Sequence, residues 1–252
     1  MSSEFTVCAL FFGPHADLAE RLLTSLSGLV VPANTQFRLG LNRVSTETAL
    51  EVVAFKNRTT SRGASVLTYQ GKPPYWKYPL MRRMFHESPI TTPYVMWFDD
   101  DSWIDPAAPP DLFVRIAHTM QTHDIIGAPY VMTLRGGQRA WVEDQPWYTG
   151  QHIQHTVSFI TGGWFTIKTE ILMKHDWPPA CFEHNGGDVM LGAMCQQQRY
   201  KMGRFTHGLH INARPGGTCS SAPRRGASQD PIGFDYRRPT KSEAFYRILD
   251  GR

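Results

Sequence analysis

The chain has 252 residues, of which 41% are hydrophobic and 19% are charged, and its formal net charge is +4. This length can bury a large core, and the composition is typical of a folded globular protein rather than a disordered one. No apolar run approaches the roughly 18 to 20 residues that a membrane-spanning helix requires. The apolar N-terminal stretch is too short and lacks the basic flank of a signal peptide. We therefore expect a cytoplasmic protein with no membrane partner.

Cysteine spacing and charge distribution narrow the possible ligands. Cys8, Cys181, Cys195 and Cys219 lie far apart without CxxC spacing. A zinc site is therefore not expected, and we expect reduced thiols because a chain of this length needs no disulfide framework. From Arg204 onward, nine Arg or Lys residues oppose four Asp or Glu residues. This basic end suits a polyanionic partner or the diphosphate of a nucleotide equally well.

Strands and helices are predicted to alternate over the first 70 residues. The predicted elements are a strand from Phe5 to Gly13, a helix from His15 to Val30, a strand from Phe37 to Val44, a helix beginning at Ser45 or Thr46, and a strand from Ala64 to Tyr69. This order is typical of βαβ units with a parallel sheet, which is the geometry of a nucleotide-binding half.

The stretch from Tyr94 to Asp105 is the most informative in the chain. Its first five residues are apolar or aromatic and run directly into Asp99, Asp100 and Asp101. Such a run predicts a strand buried on both faces, and the carboxylates must emerge at its carboxyl end because burying uncompensated charge is costly. Adjacent carboxylates favour a divalent ion such as Mg²⁺ or Mn²⁺ that is shared with substrate phosphates. The alternative is a solvated acidic turn before the next helix.

An aromatic and basic segment precedes this strand, and a helix is predicted from Pro79. Lys77, Arg82 and Arg83 lie in the segment and are candidates for phosphate contacts, because they directly precede the acidic strand. A solvated helix face is the alternative for each of them.

The middle of the chain contains a predicted loop of unusual length. A helix from Pro110 to His123 and a strand from Asp124 to Thr133 precede it. Residues 134–155 show no clear period and predict a loop, which at this length is usually functional or mobile. Trp141 and Trp147 lie in it and either stack on a sugar or base, or pin the loop to the core.

Two glycine pairs mark the second half of the chain. A strand is predicted from Thr156 to Ile167, and its Gly162 and Gly163 either allow a ligand to approach the backbone or mark a bulge. Gly186-Gly187 precedes Asp188, which begins a predicted helix. Helix capping is the alternative role for that aspartate.

The C-terminal part contains two histidines of interest. His207 and His210 lie on one or two strands predicted from Tyr200 to Ile211, and they are either structural or metal ligands. The sequence then predicts a mobile flap from Asn212 to Arg238 and a short helix from Ser242 to Leu249.

Three of these stretches, taken in order, resemble the GT-A-fold glycosyltransferases, most closely the Fringe-like β-1,3-glycosyltransferase group. They are Trp97 to Asp101, Thr161 to Gly163 and Gly187 to Gly192. The chain departs from that group at Gly187, where the group carries an acidic residue. The resemblance spans roughly Tyr94 to His210.

The resemblance implies an α/β fold with a single GT-A domain over residues 1–252. In it, a mostly parallel central sheet is flanked by helices and accompanied by a smaller acceptor-side sheet. Residues 1–105 would form the nucleotide-sugar-binding half, residues 106–211 the acceptor and catalytic half, and residues 212–252 a basic flexible tail.

Matched position by position, the resemblance also implies roles for site residues. Asp188 is expected to be the general base that deprotonates the acceptor hydroxyl. Mn²⁺ or Mg²⁺ is expected at Asp101 and Asp99 with a late histidine, His210 in preference to His207. The expected contacts of the donor, a nucleoside-diphosphate sugar with UDP as the expected nucleotide, are Asp99, Asp100, Phe11, Lys77, Arg82, Gly162 and Gly163. One base and no candidate carboxylate nucleophile predict inversion at the anomeric carbon.

The basic tail bears on the acceptor. A GT-A chain with such a tail resembles the DNA-modifying glycosyltransferases of phages and their relatives, which act on hydroxymethylated pyrimidines and would work in a host cytoplasm. The acceptor contacts expected in that case are Arg214, Arg224, Arg225, Trp141, Trp147 and Trp164. A glycan, protein or small-molecule acceptor is the equal alternative.

Two other classes of protein are alternatives to a glycosyltransferase. They are a nucleotidyl or phosphoryl transferase, for which no P-loop motif is present, and an inactive carbohydrate-binding module.

Overall fold

The computed structural model describes residues 5–13, 15–32, 34–72, 76–134, 136–180, 182 and 186–211. In chain order its elements are β1 (Phe5–Phe12), α1 (Ala16–Ser27), β2 (Gln36–Asn42), α2 (Thr46–Thr60), β3 (Ser65–Gln70), α3 (Lys77–His86), β4 (Tyr94–Asp99), β5 (Trp103–Ile104), α4 (Leu112–Met120), β6 (Ile125–Thr133), α5 (Gly136–Glu143), β7 (Thr156–Lys168), α6 (Thr169–Lys174), α7 (Gly187–Gln198), β8 (Met202–Arg204) and β9 (Leu209–His210). The predicted flap and the predicted last helix lie outside the described residues.

Seven of the strands form one sheet in the order β3-β2-β1-β4-β7-β6-β8. Strands β3, β2, β1 and β4 are parallel to one another, β7 is antiparallel to both of its neighbours, and β8 is parallel to β6. Strands β5 and β9 form a separate antiparallel pair. The expected α/β fold, with a mostly parallel central sheet and a smaller second sheet, is confirmed.

Strand β4 lies in the middle of this sheet and is buried on both faces, as predicted. Met96 and Phe98 face the core layer that contains α1 and α4, whereas Val95 and Trp97 face the layer that contains α3 and α7. Burying each such side chain contributes about 1.5–3 kcal/mol relative to leaving it exposed. The apolar run therefore fixes β4 in the sheet and places Asp99 at its carboxyl end.

Helix α2 begins where its sequence predicts. Ser45 is the N-cap, and its hydroxyl accepts a hydrogen bond of 3.2 Å from the backbone N–H of Thr48. This contact satisfies one of the amide groups that the first turn of a helix leaves without a partner, so the chain leaves β2 and enters α2 without a long connection.

The prediction of a structureless loop over residues 134–155 is wrong, because α5 lies within it. Trp141 and Val142 on this helix are completely buried, and the Gln145 side chain donates a hydrogen bond to the Trp141 carbonyl. Burial of these two side chains against the rest of the core stabilises this short helix.

Strand β7 changes its pairing partway along its length. The β6–β7 register shifts between Gly127 and Pro129, which lie opposite Phe165 and Ile160 respectively. Such an irregularity redirects the backbone beside a functional site in many sheets. Here it falls around the predicted glycine pair, so the bulge proposed as an alternative is present and leaves the Gly162 amide for a tertiary contact.

Two of the four cysteines are described, and both are free. Cys8 and Cys195 are buried, and burial raises the pKa of each thiol to about 12. Cys181 and Cys219 lie outside the described residues. Within the described ranges, no helix is both long enough and apolar enough to cross a lipid bilayer.

Candidate active site

The acidic turn after β4 is buried and held against β1. Asp100 and Asp101 are each only 5% exposed. An Asp100 carboxylate oxygen accepts a hydrogen bond of 3.3 Å from the backbone N–H of Phe12, the last residue of β1. Because both carboxylates are buried, the turn is not the solvated acidic turn considered as the alternative. The contact with the end of β1 places it at the carboxyl edge of the parallel strands, where such sheets bind ligands.

Asp99 forms an ion pair with Lys77, the first residue of α3. The Lys77 ammonium lies 2.6 Å from Oδ2 of Asp99, and Oδ1 accepts a hydrogen bond of 3.0 Å from the Trp97 indole. Burial lowers the pKa of Lys77, but the charges of nearby carboxylates, Asp99 first and then Asp188 and Asp101, raise it above its usual value. Lys77 therefore carries its charge and interacts with all three carboxylates at once.

Asp188 lies in the first turn of α7 and faces β7. Its Oδ2 accepts a hydrogen bond of 3.2 Å from the Gly162 amide, and its Oδ1 accepts one of 2.9 Å from the Val189 amide. Burial raises the pKa of this carboxyl group, although Lys77 and the two amides act in the opposite direction. A buried, oriented carboxylate with a raised pKa has the properties of a general base.

The departure at Gly187 has a steric explanation. A Cβ atom at this position would overlap the ring end and hydroxyl of Tyr78 and lie 2.6 Å from its Cε1. Tyr78 is buried, and its hydroxyl lies against the backbone of Gly187 at the start of α7. The phenol therefore fills the space that a side chain at position 187 would take.

These side chains converge from four elements on one narrow cavity. Lys77 and Tyr78 reach it from α3, Gly162 from β7, and Asp188 from α7, while Asp99 at the end of β4 reaches it through its ion pair with Lys77. Sequence reasoning selected four of these five residues and missed Tyr78. The available signal was a glycine at a position where the resembling group has a larger residue, together with an aromatic residue next to Lys77.

The predicted metal site of Asp99, Asp101, His207 and His210 is not assembled. Among the described residues, no three His, Cys, Asp or Glu side chains form a group that could hold a metal ion. Both oxygens of Asp99 are engaged by Lys77 and Trp97.

His207 and His210, the two predicted histidine ligands, lie in surroundings other than the predicted metal site. His210 pairs with Asp105 at 2.9 Å and stacks on Trp103 with ring centroids 4.9 Å apart, while His207 is exposed in the turn before β9. The buried carboxylates of Asp100 and Asp101 do fit a Mg²⁺ or Mn²⁺ ion that is completed by water and substrate phosphates, since such ions commonly use only one or two carboxylates.

Two predicted donor contacts need correction. Phe11 is buried in the core between β1 and the helices of its layer, so its ring has no face for a nucleotide. Arg82 makes a bidentate ion pair with Asp176 and also donates to the Pro178 carbonyl, so it ties α3 to the loop after α6 instead of binding phosphate. Arg83 likewise pairs with Glu87.

The predicted stacking role of the tryptophans is also wrong. Trp141, Trp147 and Trp164 are all buried in the core, with no more than 4% of any of them exposed. Of the two roles considered for the first two, pinning the segment to the core is the one that fits. The predicted phosphate contacts Arg214, Arg224 and Arg225 lie outside the described residues, and Gly163 is buried in β7 beside Gly162.

The comparison with solved structures bears on the fold. No family model matches the chain, and no curated protein matches its sequence. Among solved structures, the mannosyltransferase PcManGT from Pyrobaculum calidifontis, in complex with GDP-Man and Mn²⁺, aligns with a TM-score of 0.52 at 13% identity over 80% of this chain and 54% of that one. TarS 1–349 from S. aureus aligns with a TM-score of 0.51 at 11% identity over 80% of this chain and 58% of that one.

This chain has a GT-A fold. It spans little more than half the length of the two solved chains that it matches. Identity this low concerns the fold alone, so the chemistry of this GT-A chain has to be argued from its own residues.

Proposed function

We propose that this chain transfers a glycosyl group from a nucleoside-diphosphate sugar to an acceptor hydroxyl, with inversion at the anomeric carbon. The observation that carries the proposal is the contact set around Lys77, which pairs with Asp99 and faces Asp188 at the carboxyl edge of the sheet. It combines a cation for a leaving diphosphate with a carboxylate that can accept a proton. Further support comes from the GT-A fold shared with a mannosyltransferase bound to GDP-Man and Mn²⁺.

Asp188 is the proposed general base. It takes the proton of the acceptor hydroxyl as that oxygen bonds to the anomeric carbon, and the bond from this carbon to the diphosphate oxygen breaks. The Gly162 and Val189 amides each hold one carboxylate oxygen and so orient the carboxylate toward the acceptor. A single displacement of this kind inverts the anomeric carbon, and general base catalysis is typically worth about 10²- to 10⁴-fold in rate.

The leaving diphosphate requires compensation of its charge. Lys77 stays protonated beside Asp99 and supplies one positive charge at this edge. Asp100 and Asp101 are the residues that would hold a Mg²⁺ or Mn²⁺ ion, which when bound stabilises negative charge on the departing diphosphate. The proposed nucleotide is UDP, as the resemblance implies.

The proposed acceptor is a hydroxymethylated pyrimidine in DNA, and a glycan, protein or small-molecule acceptor is the alternative. Support for DNA now comes only from the basic sequence after Arg204, because the tryptophans expected to stack on a base are buried. Transfer to a hydroxymethylated duplex, with none to the matched unmodified duplex, would support this acceptor. Absence of both transfer and salt-sensitive duplex binding would remove it.

Slow hydrolysis of the donor tests the activity without knowledge of the acceptor. The purified chain is incubated with UDP-glucose, and separately with GDP-mannose, in the presence of Mn²⁺, and release of the nucleoside diphosphate is followed. We expect release with one of the donors and a loss of about 10²-fold or more in Asp188→Asn. Asp111→Asn is the control, because Asp111 is exposed and forms an ion pair with Arg115 on α4. Equal release by both variants would contradict the role of Asp188.

A further inference from the structure

Tyr78 connects the first turn of α7 to the hydrophobic core. Its hydroxyl lies against the backbone of Gly187, and the amides of Gly187 and Asp188 are among those that a helix start leaves without an intrahelical partner. The N-cap residue Gly186 has no side chain to satisfy them. We propose that the Tyr78 hydroxyl accepts hydrogen bonds from these two amides and is thereby the positioning residue that fixes Asp188, a role that rests on the proposed function of this aspartate as the base.

The ring of Tyr78 is itself held from behind. Phe182 packs edge-on against it with ring centroids 5.3 Å apart, and Trp141 stacks on Phe182 at 5.1 Å. All three side chains are buried. Trp141, Phe182 and Tyr78 thus form a row of packed aromatic rings that leads from the core to α7. Trp141, which was predicted to contact the acceptor, supports the site from the core end of this row.

The absence of a side chain at Gly187 leaves room for the Tyr78 phenol. Any side chain at this position would displace the phenol, because its Cβ atom would lie only 2.6 Å from Cε1 of Tyr78. The glycine lets the hydroxyl reach the two amides directly. The N-cap residue of α7 provides no side-chain hydrogen bond, and the phenol of Tyr78 takes this role. Tyr78 belongs to α3, the same helix that contains Lys77.

The geometry fixes Asp188 from two sides. The Gly162 amide holds Oδ2 from β7, and the proposed hydrogen bonds to Tyr78 hold the backbone of the aspartate from α3. Burial raises the pKa of Tyr78, as do the charges of Asp188 and Asp99, so the hydroxyl stays protonated and neutral. Tyr78 therefore orders the first turn of α7 without adding a negative charge beside the base.

The test is Tyr78→Phe, which removes one oxygen and keeps the ring. Hydrogen exchange at the Gly187 and Asp188 amides is measured in the full chain, and we expect it to accelerate about tenfold or more because both amides lose their acceptor. With the donor that the wild type hydrolyses, kcat is expected to fall about tenfold or more while KM is unchanged, since the base is misplaced and donor contacts are not. A merely structural role would lower the melting temperature and leave kcat unchanged.

Tyr69→Phe is the matched control. Tyr69 is as deeply buried as Tyr78, but its hydroxyl has no hydrogen-bond partner among the described residues. We expect unchanged exchange at both α7 amides and unchanged kcat. Should Tyr78→Phe fail to fold, Gly187→Ala displaces the phenol instead and is expected to show the same two changes.

Each outcome decides the proposal. Unchanged exchange, or unchanged kcat with faster exchange, overturns it. Because exchange is measured without substrate, it separates this proposal from the proposed function: an inactive wild type refutes the glycosyl transfer, whereas unchanged exchange refutes the contact of Tyr78 with α7.

Discussion

The ammonium of Lys77 lies 2.6 Å from Oδ2 of Asp99, and the two side chains are only 15% and 23% exposed. This ion pair is the first compensation for the acidic turn that ends β4. A buried carboxylate without a partner is costly, and three adjacent ones are more so. The chain therefore supplies one of the positive charges that the sequence alone assigned entirely to a metal ion.

Removal of Lys77 is expected to affect both stability and catalysis. In Lys77→Met, Asp99 keeps its bond to the indole but loses its cation, and we expect a loss of about 1–3 kcal/mol in the free energy of unfolding. Donor hydrolysis is expected to fall about tenfold or more, because the leaving diphosphate loses a positive charge. Denaturant titration and kcat measure the two effects.

Lys168→Met is the matched control for this variant. Lys168 also forms an ion pair of 2.6 Å, with Asp124, but it ends β7 opposite Tyr94, at the other edge of the sheet. A similar loss of stability with unchanged kcat is expected. Equal losses of kcat in the two variants would contradict a specific role for Lys77.

The pH dependence of the reaction should report Asp188. The ionised carboxylate is the active form, and burial raises its pKa, so we expect kcat/KM to fall as the pH drops through a value above the ordinary aspartate range. The charge of Lys77 lowers this pKa, and the acidic limb of the profile should therefore move to higher pH in Lys77→Met. Profiles of kcat/KM against pH for both proteins check this, and coincident acidic limbs would count against the assignment.

Metal binding should depend on the acidic turn and not on the late histidines. We expect chelation by EDTA to abolish donor hydrolysis and Asp101→Asn to weaken Mn²⁺ binding about tenfold or more, as measured by calorimetry. His210→Ala should leave the affinity unchanged, because this histidine pairs with Asp105 and stacks on Trp103. A comparable loss of affinity in His210→Ala would restore the histidine to the metal site.

Alanine substitutions at two glycines should distinguish an effect on substrate binding from an effect on core packing. A Cβ atom at Gly162 would lie 3.5 Å from the Lys77 ammonium, an ordinary contact, so Gly162→Ala should fold with stability within about 0.5 kcal/mol of the wild type. Its methyl group would occupy the site beside the base, and we expect reduced donor hydrolysis. In Gly192→Ala, the Cβ atom would lie 2.5 Å from that of Phe159, which should cost about 1–3 kcal/mol of stability. Full activity of Gly162→Ala would show that substrate does not approach this backbone.

Local sequence patterns predicted the elements that position the site. The apolar run of β4 ends in charges, so both its burial and the edge at which Asp99 emerges follow from the cost of burying charge. Ser45 predicted the start of α2 because its hydroxyl caps the helix locally. Helix α5 was not predictable in this way, because burial of Trp141 against distant residues stabilises it.

The residues of the candidate site also differ in whether a local sequence pattern could predict them. Asp188 and Gly162 stand out in the sequence, since each interrupts or begins a predicted element. The roles of Tyr78 and Arg82 depend on partners far along the chain, Gly187 and Asp176, that no local pattern indicates. Sequence reasoning therefore selected both arginine and lysine for phosphate binding, and only the tertiary contacts distinguish them.

The hydrogen bond between the Trp97 indole and Asp99 has a practical consequence. Trp97 is completely shielded from solvent, yet its nitrogen donates to the Asp99 carboxylate in the candidate site. Any ligand that draws Lys77 away from Asp99 changes the electric field on this indole. Where a ligand displaces Lys77 in this way, emission from Trp97 is expected to change, so binding can be followed by fluorescence without any attached dye.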